Sequence, residues 1–289
     1  MFVITGATGH TGSVTAETLL AAGKAVRVVV RDAAKAKALA ALGAEVVVAE
    51  LTDEPALTQA LQGAEGVFLL SPPDFAATDF LAARKTLMAT LARAAKAAEV
   101  RHVVFLSSIG AQHASGTGPI LTTHAGEQAL RETGLPVTFV RPGYFVENWA
   151  TGLQPARQDG VLPSFLPANR ALPMVATRDI GSLVARALLD GPRGTRVIEL
   201  SGPVDLSPNE VAAALGRVLG RTVTVAEAPL DAVVPTFTSF GVSQNMSELF
   251  RDLYAGFASG KVSWEGKGTE AVRGTTSIEE TLRALTGMQ

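Results

Sequence analysis

The sequence predicts an α/β fold, a doubly wound parallel sheet, and three observations support this prediction. Short β-branched runs alternate with helical patterns through the first two thirds of the chain. These runs lack polar alternation, which is typical of strands buried on both faces of a parallel sheet. The first run leads into three evenly spaced glycines, Gly6, Gly9 and Gly12, where a helix begins. Right-handed β-α-β crossovers would then place helices on both faces, giving a Rossmann fold.

The individual elements follow from the same periodicity. Strands are predicted over residues 2–5, 25–30, 45–49, 66–70, 102–106, 137–140 and 196–200. Helices are predicted from near Thr11 and over residues 33–42, 54–62, 79–98, 122–133, 179–190 and 207–219. Asp179 and Ser207 stand near the starts of the last two helices, where a short polar side chain commonly accepts from the first turn. We therefore expect both to be N-caps.

The last third of the chain is less regular and predicts a smaller C-terminal α/β cap domain. Pro163, Pro167 and Pro173 interrupt the region after Trp149. We expect residues 1–149 to form the dinucleotide-binding core, rejoined by about 175–200, with residues 150–174 and 201–289 forming the substrate-binding cap. An aromatic and aliphatic stripe over residues 248–258 is expected to lie in the core of the cap. Residues 235–241 are expected to form a loop over the pocket.

Composition excludes several classes of function. The chain has 289 residues, a net charge of −2 and no cysteine. Without a basic excess, neither nucleic acid nor an anionic membrane is a favoured partner. Without cysteine, disulfides, thiolate metal sites and a cysteine nucleophile are excluded, and we expect no metal site. The first residues do not resemble a signal peptide and no apolar run is long enough to span a bilayer, so we expect a cytoplasmic protein.

The glycine segment predicts a phosphate site. A helix N-terminus presents unpaired backbone N–H groups and a partial positive charge, and glycines allow the backbone to approach a pyrophosphate closely. The spacing, G-x-x-G-x-x-G, differs from the commoner G-x-G-x-x-G, and a purely structural turn is the alternative. The candidate cofactor-binding residues of this segment are Gly6, Thr8, Gly9, His10, Thr11 and Gly12.

Arg31 bears on which dinucleotide is bound. It is the first polar residue after the second strand, where NADP sites place an arginine and NAD sites a carboxylate. Lys35 would add positive charge from the following helix, so we predict NADPH in preference to NADH. Asp32 leaves alternatives open, because it could hold a free 2′-hydroxyl or pair with Arg31. All three could also be solvated surface charges.

Two further strand ends are predicted to contact the cofactor, because ligands of such sheets lie outside the carboxyl ends of the strands. Leu70, Ser71 and Pro72 end one strand, and Ser107 and Ser108 end another. The two serine hydroxyls are suited to bind ribose or a substrate oxygen. Alternatively, these serines cap a turn.

The chain resembles the NmrA-like branch of the atypical short-chain dehydrogenases/reductases over nearly its whole length. Within that branch it is most similar to NADPH-dependent quinone oxidoreductases and triphenylmethane-dye reductases. The motifs that carry the resemblance lie at residues 5–12, 30–31, 105–108, 127–135, 138–148 and 273–280.

The resemblance also shows where this chain departs from related enzymes. Many members use a Tyr-x-x-x-Lys pair to protonate a carbonyl, but here Ile120 stands at the tyrosine position and His124 at the lysine position. His124 is a candidate catalytic acid and cofactor contact, although it could simply bind the ribose or cap its helix. Neither of the two tyrosines lies in that motif, so the catalytic tyrosine of those members is absent. Tyr144 is the second catalytic candidate.

The segment around Tyr144 is predicted to meet both cofactor and substrate. In the family, the backbone of such a segment runs past the nicotinamide, which implies contacts from Pro142, Gly143, Tyr144 and Phe145. An aromatic wall suits a flat apolar acceptor. The substrate candidates are therefore Tyr144, Phe145, Asn148, Trp149, Phe237 and Phe240. Alternatively, Phe145 and Trp149 are core anchors of the cap.

These observations lead to one functional hypothesis and two alternatives. We predict an NADPH-dependent reductase that transfers hydride to a small quinone or similar flat conjugated acceptor without a catalytic Tyr-x-x-x-Lys. The alternatives are a biosynthetic keto- or imine reductase on the same site, and a non-catalytic NADP-binding redox sensor. A homodimer is considered as its assembly.

Overall fold

An eight-stranded parallel sheet forms the centre of the molecule, as described by a computed structural model of residues 1–287. The doubly wound α/β prediction is confirmed. The strands are β1 (Phe2–Thr5), β2 (Val26–Val30), β3 (Glu45–Val48), β4 (Gly66–Leu70), β5 (Val103–Leu106), β6 (Val137–Pro142), β7 (Tyr144–Phe145), β8 (Val161–Ser164), β9 (Met174–Val175), β10 (Arg196–Ser201), β11 (Thr224–Glu227) and β12 (Glu270–Arg273). The large sheet has the order β12-β10-β6-β5-β4-β1-β2-β3, while β7 pairs with β9 and β8 with β11.

Eleven α-helices surround the strands within residues 1–287. They are α1 (His10–Ala21), α2 (Lys37–Ala41), α3 (Glu54–Leu61), α4 (Phe80–Ala97), α5 (Leu121–Arg131), α6 (Leu153–Asp159), α7 (Thr177–Asp190), α8 (Pro208–Leu219), α9 (Val233–Ser239), α10 (Gln244–Ser259) and α11 (Ile278–Thr286). Short 3-10 segments cover Ala33–Ala36, Gly118–Ile120, Val146–Gly152 and Leu230–Ala232. No helix in this part of the chain is both long enough and apolar enough to cross a membrane.

Three of the four apolar clusters in residues 1–287 explain why these elements pack in layers. One lies between the sheet and the α1–α7 pair, and it includes Ile4 and Val184. The second lies on the opposite face under α3, α4 and α5, and it includes Phe105 and Phe139. The third contains Trp149 and packs residues between 146 and 282 against Ile109, Ala111 and Ile120. Residues alternating along β6 thus enter opposite cores, as the unbroken apolar runs predicted.

Asp179 is not an N-cap, so that prediction is wrong. Helix α7 begins two residues earlier, at Thr177, because the Glu147 carboxylate accepts from the Thr177 backbone N–H at 2.9 Å and from its hydroxyl at 2.7 Å. Asp179 instead accepts from the backbone N–H of Thr276 at 3.0 Å and from its hydroxyl at 2.7 Å. Ser207 caps α8 in a capping box with Glu210, as predicted.

Two segments of the last third differ from the sequence-based expectations. Residues 235–241 are not a loop, because helix α9 covers Val233–Ser239. Pro235 is tolerated there because it stands in the first turn, where its missing N–H has no intrahelical partner. Strand β12, from the range assigned to the cap, extends the main sheet beside β10.

Candidate functional site

The turn between β1 and α1 requires glycine at two of its three glycine positions. Gly6 has a φ of +61°, and a Cβ there would lie 2.6 Å from a methyl carbon of Leu70. A Cβ on Gly12 would lie 2.3 Å from the Gly6 carbonyl oxygen. A Cβ on Gly9 would meet no protein atom closer than 3.4 Å. The protein itself therefore leaves space beside Gly9 that a ligand can approach.

The N-terminus of α1 is open toward this space. Gly9 is its N-cap residue, so no side chain caps the helix. Thr8, Gly9 and His10 are exposed, while Thr11 and Gly12 are buried. An uncapped helix start at the end of a central parallel strand is a favourable site for a phosphate group.

The site lies where the strand order reverses. Strand β1 has β2 on one side and β4 on the other, so the chain leaves β1 in opposite directions. The crevice at such a switch point is where open α/β sheets bind their ligands. Leu70, at the end of β4, packs against Gly6, and the Ser71 hydroxyl is buried without a hydrogen-bond partner among residues 1–287. The Pro72 carbonyl accepts from Arg84 at 3.2 Å.

Arg31, Asp32 and Lys35 are exposed at the end of β2. Asp32 accepts from the backbone N–H of Ala34 at 2.9 Å and thereby caps the short 3-10 segment. Within residues 1–287 Arg31 and Asp32 form no ion pair with each other. The Arg31 guanidinium is therefore accessible to an anionic ligand, whereas the Asp32 carboxylate caps the 3-10 segment.

Ser107 faces inward at the end of β5. It is 4% exposed, and its hydroxyl donates to Glu127 at 2.5 Å. Ser108 is half-buried. Of the two predicted serines, Ser107 therefore uses its proton inside the protein, and Ser108 has the more accessible side chain.

His124 has one ring nitrogen fixed. Its Nδ1 lies 2.8 Å from the carbonyl oxygen of Ala111. Because a carbonyl only accepts, Nδ1 must carry hydrogen and Nε2 is the nitrogen left for a ligand. His124 is half-buried on α5 and does not cap it, and Ile120 is 7% exposed one turn earlier. The side chain at the tyrosine position of the family thus has no proton to give.

The backbone groups around the end of β6 are hydrogen-bonded within the protein. The Gly143 N–H donates to the Leu200 carbonyl at 2.9 Å, and the Tyr144 N–H donates to the Pro173 carbonyl at 2.8 Å. The Pro142 carbonyl accepts from Ile109 at 2.9 Å. A Cβ on Gly143 would lie 2.3 Å from the Pro173 oxygen, so glycine is required here by the protein itself. These N–H groups are committed within the chain, which limits what the segment can offer a nicotinamide.

Tyr144 is enclosed by other aromatic rings. Its ring centroid lies 6.0 Å from that of Trp149 and 5.9 Å from that of Phe257, both edge to face. Burial, then the nearby Tyr254 hydroxyl, raises the pKa of Tyr144 well above its usual value. Burial likewise raises the pKa of Tyr254 to about 12.

The predicted substrate residues do not all lie together. Trp149 is 4% exposed in the third apolar core, and Phe145 packs against the first core, beneath α1 and α7. Both side chains therefore contact an apolar core, but Phe145 contacts the core of the main sheet. Asn148 is exposed, and Phe240 is 75% exposed. Phe237 stacks on Phe250 with centroids 4.5 Å apart.

Sequence reasoning missed part of this aromatic group. Phe75, in the segment after β4, lies 6.2 Å from Phe250, and Tyr254 lies 5.3 Å from Phe165. The 248–258 stripe contained Phe250 and Tyr254, but its helical period alone could not show which rings it meets. In the described part of the chain no cluster of histidine, aspartate and glutamate could hold a metal ion.

A match over almost the whole chain decides the family. The model of the NmrA-like family matches residues 1–282. The chain belongs to the NmrA-like family. As a member of this family it shares 31% identity over 258 residues with an NAD(P)H azoreductase from Xenophilus azovorans, covering 88% of this chain and 86% of that protein.

Two further proteins are similar to this chain over most of its length. It is 34% identical over 236 residues to a (4-alkanoyl-5-oxo-2,5-dihydrofuran-3-yl)methyl phosphate reductase from Streptomyces griseus, covering 80% of this chain and 78% of that protein. Its fold matches the crystal structure of NADPH-dependent quinone oxidoreductase QOR2 from Escherichia coli complexed with NADPH. That match has a TM-score of 0.83 and 28% identity, covering 99% of this chain and 100% of the other.

Proposed function

We propose that this NmrA-like protein is an NADPH-dependent reductase that transfers hydride to a quinone or similar flat conjugated acceptor. The observation that carries the proposal is the uncapped start of α1 at the β1–β4 switch point, with Arg31 exposed at the end of the adjacent β2. The similarity of this chain to an NAD(P)H azoreductase and to a quinone oxidoreductase supports the assignment as a reductase. When bound, the dinucleotide supplies the hydride.

The residues of this chain fit such a cofactor in distinct roles. Gly6, Gly9 and Gly12 with the first N–H groups of α1 would hold the pyrophosphate. Arg31 and Lys35 would hold the 2′-phosphate, which a guanidinium binds through two parallel hydrogen bonds. Leu70, Ser71, Pro72 and Ser108, at the ends of β4 and β5, would border the nicotinamide half.

His124 would transfer a proton to the reduced acceptor. With Nδ1 donating to the Ala111 carbonyl, Nε2 is the ring nitrogen that can take up a second proton from water and pass it to the reduced acceptor. Quinone-type acceptors need little acid assistance before hydride arrives, so the absent tyrosine does not prevent the reaction. Tyr144 and Phe237 would then border a flat acceptor.

The chemistry in the relatives' names supports the substrate class. An azo group, a quinone and an oxo-dihydrofuran ring are all conjugated electron-poor systems. Ile120 weighs against an unactivated ketone as substrate, because such a carbonyl needs a proton donor at that position.

A turnover panel tests the proposal. NADPH oxidation would be followed with benzoquinone, naphthoquinones and azo dyes, and in parallel with aliphatic ketones and cyclic imines. We expect turnover with the quinones and none with the ketones or imines. Turnover with ketones or imines alone would favour the biosynthetic alternative. Tight NADPH binding without oxidation by any acceptor would instead favour a redox sensor.

A further inference from the structure

The loop of residues 261–269, here called the anchoring loop, is held by two buried charges. Glu265 accepts from the Arg141 guanidinium at 2.6 Å. Glu199, 5% exposed on β10, accepts from the backbone N–H of Glu265 at 2.7 Å and from the Thr269 hydroxyl at 2.9 Å. Arg141 and Glu199 lie on the neighbouring strands β6 and β10 and are register partners. The loop is therefore fixed to the main sheet at its middle, Glu265, and at its C-terminal end, Thr269.

The anchoring loop contacts the turn that follows β5. The Ser263 carbonyl accepts from the Gln112 side chain at 2.8 Å. Val262 is 4% exposed, and a Cβ on Gly110 would lie 3.4 Å from one of its methyl carbons. The loop thus holds the residues on both sides of Ala111.

Ala111 is the residue whose carbonyl fixes the His124 ring. It accepts from Nδ1 at 2.8 Å. On the other side, Glu127 lies one turn after His124 on α5 and accepts from Arg141 at 2.7 Å through each of its carboxylate oxygens. Arg141 therefore holds both the helix that carries the imidazole and, through Glu265, the loop that supports its acceptor.

We propose that Glu265 is a positioning residue, which keeps the Ala111 carbonyl in place and so fixes His124 with its proton on Nδ1. This inference rests on the proposed function for its effect on catalysis, but the geometry of the imidazole can be measured independently. Glu265 is far from His124 in sequence and does not touch it. Its carboxylate is 41% exposed, and Glu127 still pairs with Arg141 when Glu265 is neutral. The Glu265→Gln variant should therefore fold.

The test compares Glu265→Gln with the matched variant Glu270→Gln. Glu270 pairs with Arg196 at 3.1 Å, is largely exposed and does not touch Arg141. The chain has four histidines, so long-range ¹⁵N–¹H spectra of the imidazoles can be assigned with a His124→Gln sample. We expect the Nδ1–H form of His124 in the native protein and in Glu270→Gln, and a mixture of tautomers in Glu265→Gln.

Turnover gives the second readout. We expect Glu265→Gln to lose roughly tenfold in kcat with unchanged NADPH affinity, since small misplacements of a reacting group are costly. In a His124→Gln background, Glu265→Gln should have no further effect on kcat. If Glu265 were purely structural, Glu265→Gln would lower kcat by the same factor in the native and in the His124→Gln background. An unchanged His124 tautomer in Glu265→Gln would overturn the proposal. A changed His124 tautomer in Glu265→Gln, together with native turnover in His124→Gln, would give two results. It would uphold the positioning role of Glu265 and contradict the proposed catalytic role of His124.

Discussion

The guanidinium of Arg141 donates to both carboxylate oxygens of Glu127, each at 2.7 Å, and the two side chains are 3% and 2% exposed. Burial alone would lower the pKa of Arg141, but the hydrogen bonds and charge of Glu127, and then of Glu265, raise it. The pair joins β6 to α5, and the Ser107 hydroxyl at the end of β5 also donates to Glu127. Three segments of the candidate site thus meet at one carboxylate.

Neutralising Glu127 should therefore destabilise the fold. Removing one partner of a buried ion pair typically costs 3–5 kcal/mol. Because Glu265 still balances Arg141, we expect Glu127→Gln to lower the free energy of unfolding by about 3 kcal/mol in urea titrations. The control is Asp190→Asn, which breaks an exposed pair with Arg193 and should cost less than about 1 kcal/mol. Equal losses in the two variants would contradict a special role for the buried pair.

The glycines of the β1–α1 turn should separate into two kinds. Gly12→Ala places a Cβ 2.3 Å from backbone, so we expect a lower melting temperature. Gly9→Ala meets no protein atom within 3.4 Å and should melt close to the native protein. It should nevertheless weaken NADPH roughly tenfold or more, because a methyl group would occupy the space of the pyrophosphate. Calorimetry with and without NADPH checks both, and native NADPH affinity in Gly9→Ala would argue against the phosphate site.

Arg31→Ala should weaken NADPH far more than NADH. A charge-assisted hydrogen bond to an ionised group is worth about 1.5–3 kcal/mol, so a ten- to hundredfold loss of NADPH affinity is expected. NADH affinity should change by less than about threefold. Fluorescence titration with both cofactors measures this, and Lys24→Ala, an exposed change away from the end of β2, is the control. Equal losses for the two cofactors would reject the 2′-phosphate role.

His102 should make the protein sensitive to acid. Burial, with a smaller contribution from Arg196, lowers its pKa to about 4, and its Nδ1 has no partner in the described residues. Because the folded-state pKa lies below the unfolded value of about 6.5, the neutral ring stabilises the fold above that value. That stability is lost as the pH falls from about 6.5 toward 4, by about 3 kcal/mol in total.

Urea titrations between pH 7 and pH 4 measure this dependence. His102→Asn should show a shallower loss of stability over that interval than the native protein. His10→Gln, at an exposed position on α1, should retain the native slope. A native slope in His102→Asn would assign the acid sensitivity to other groups.

Local pattern was sufficient for most of the sheet and for the glycine turn between β1 and α1. The β-branched runs predicted every strand of the main sheet except β12, and Gly6, Gly9 and Gly12 occupy the turn between β1 and α1. β12 was missed because Glu270–Arg273 is an edge strand whose residues are largely exposed, so it carries no continuous apolar run. The start of α7 was misplaced because its cap comes from Glu147, a distant residue.

The sequence by itself determined the alternation of strands and helices and the position of the glycine turn, because both depend on local periodicity and backbone freedom. Only the tertiary structure decided how the charged and aromatic side chains are used. It used Asp32 to cap the 3-10 segment that follows, turned Ser107 toward Glu127, and placed Trp149 in the third apolar core. These outcomes depend on partners that are remote in the chain or on the exact course of the backbone, and neither leaves a periodic trace in the sequence.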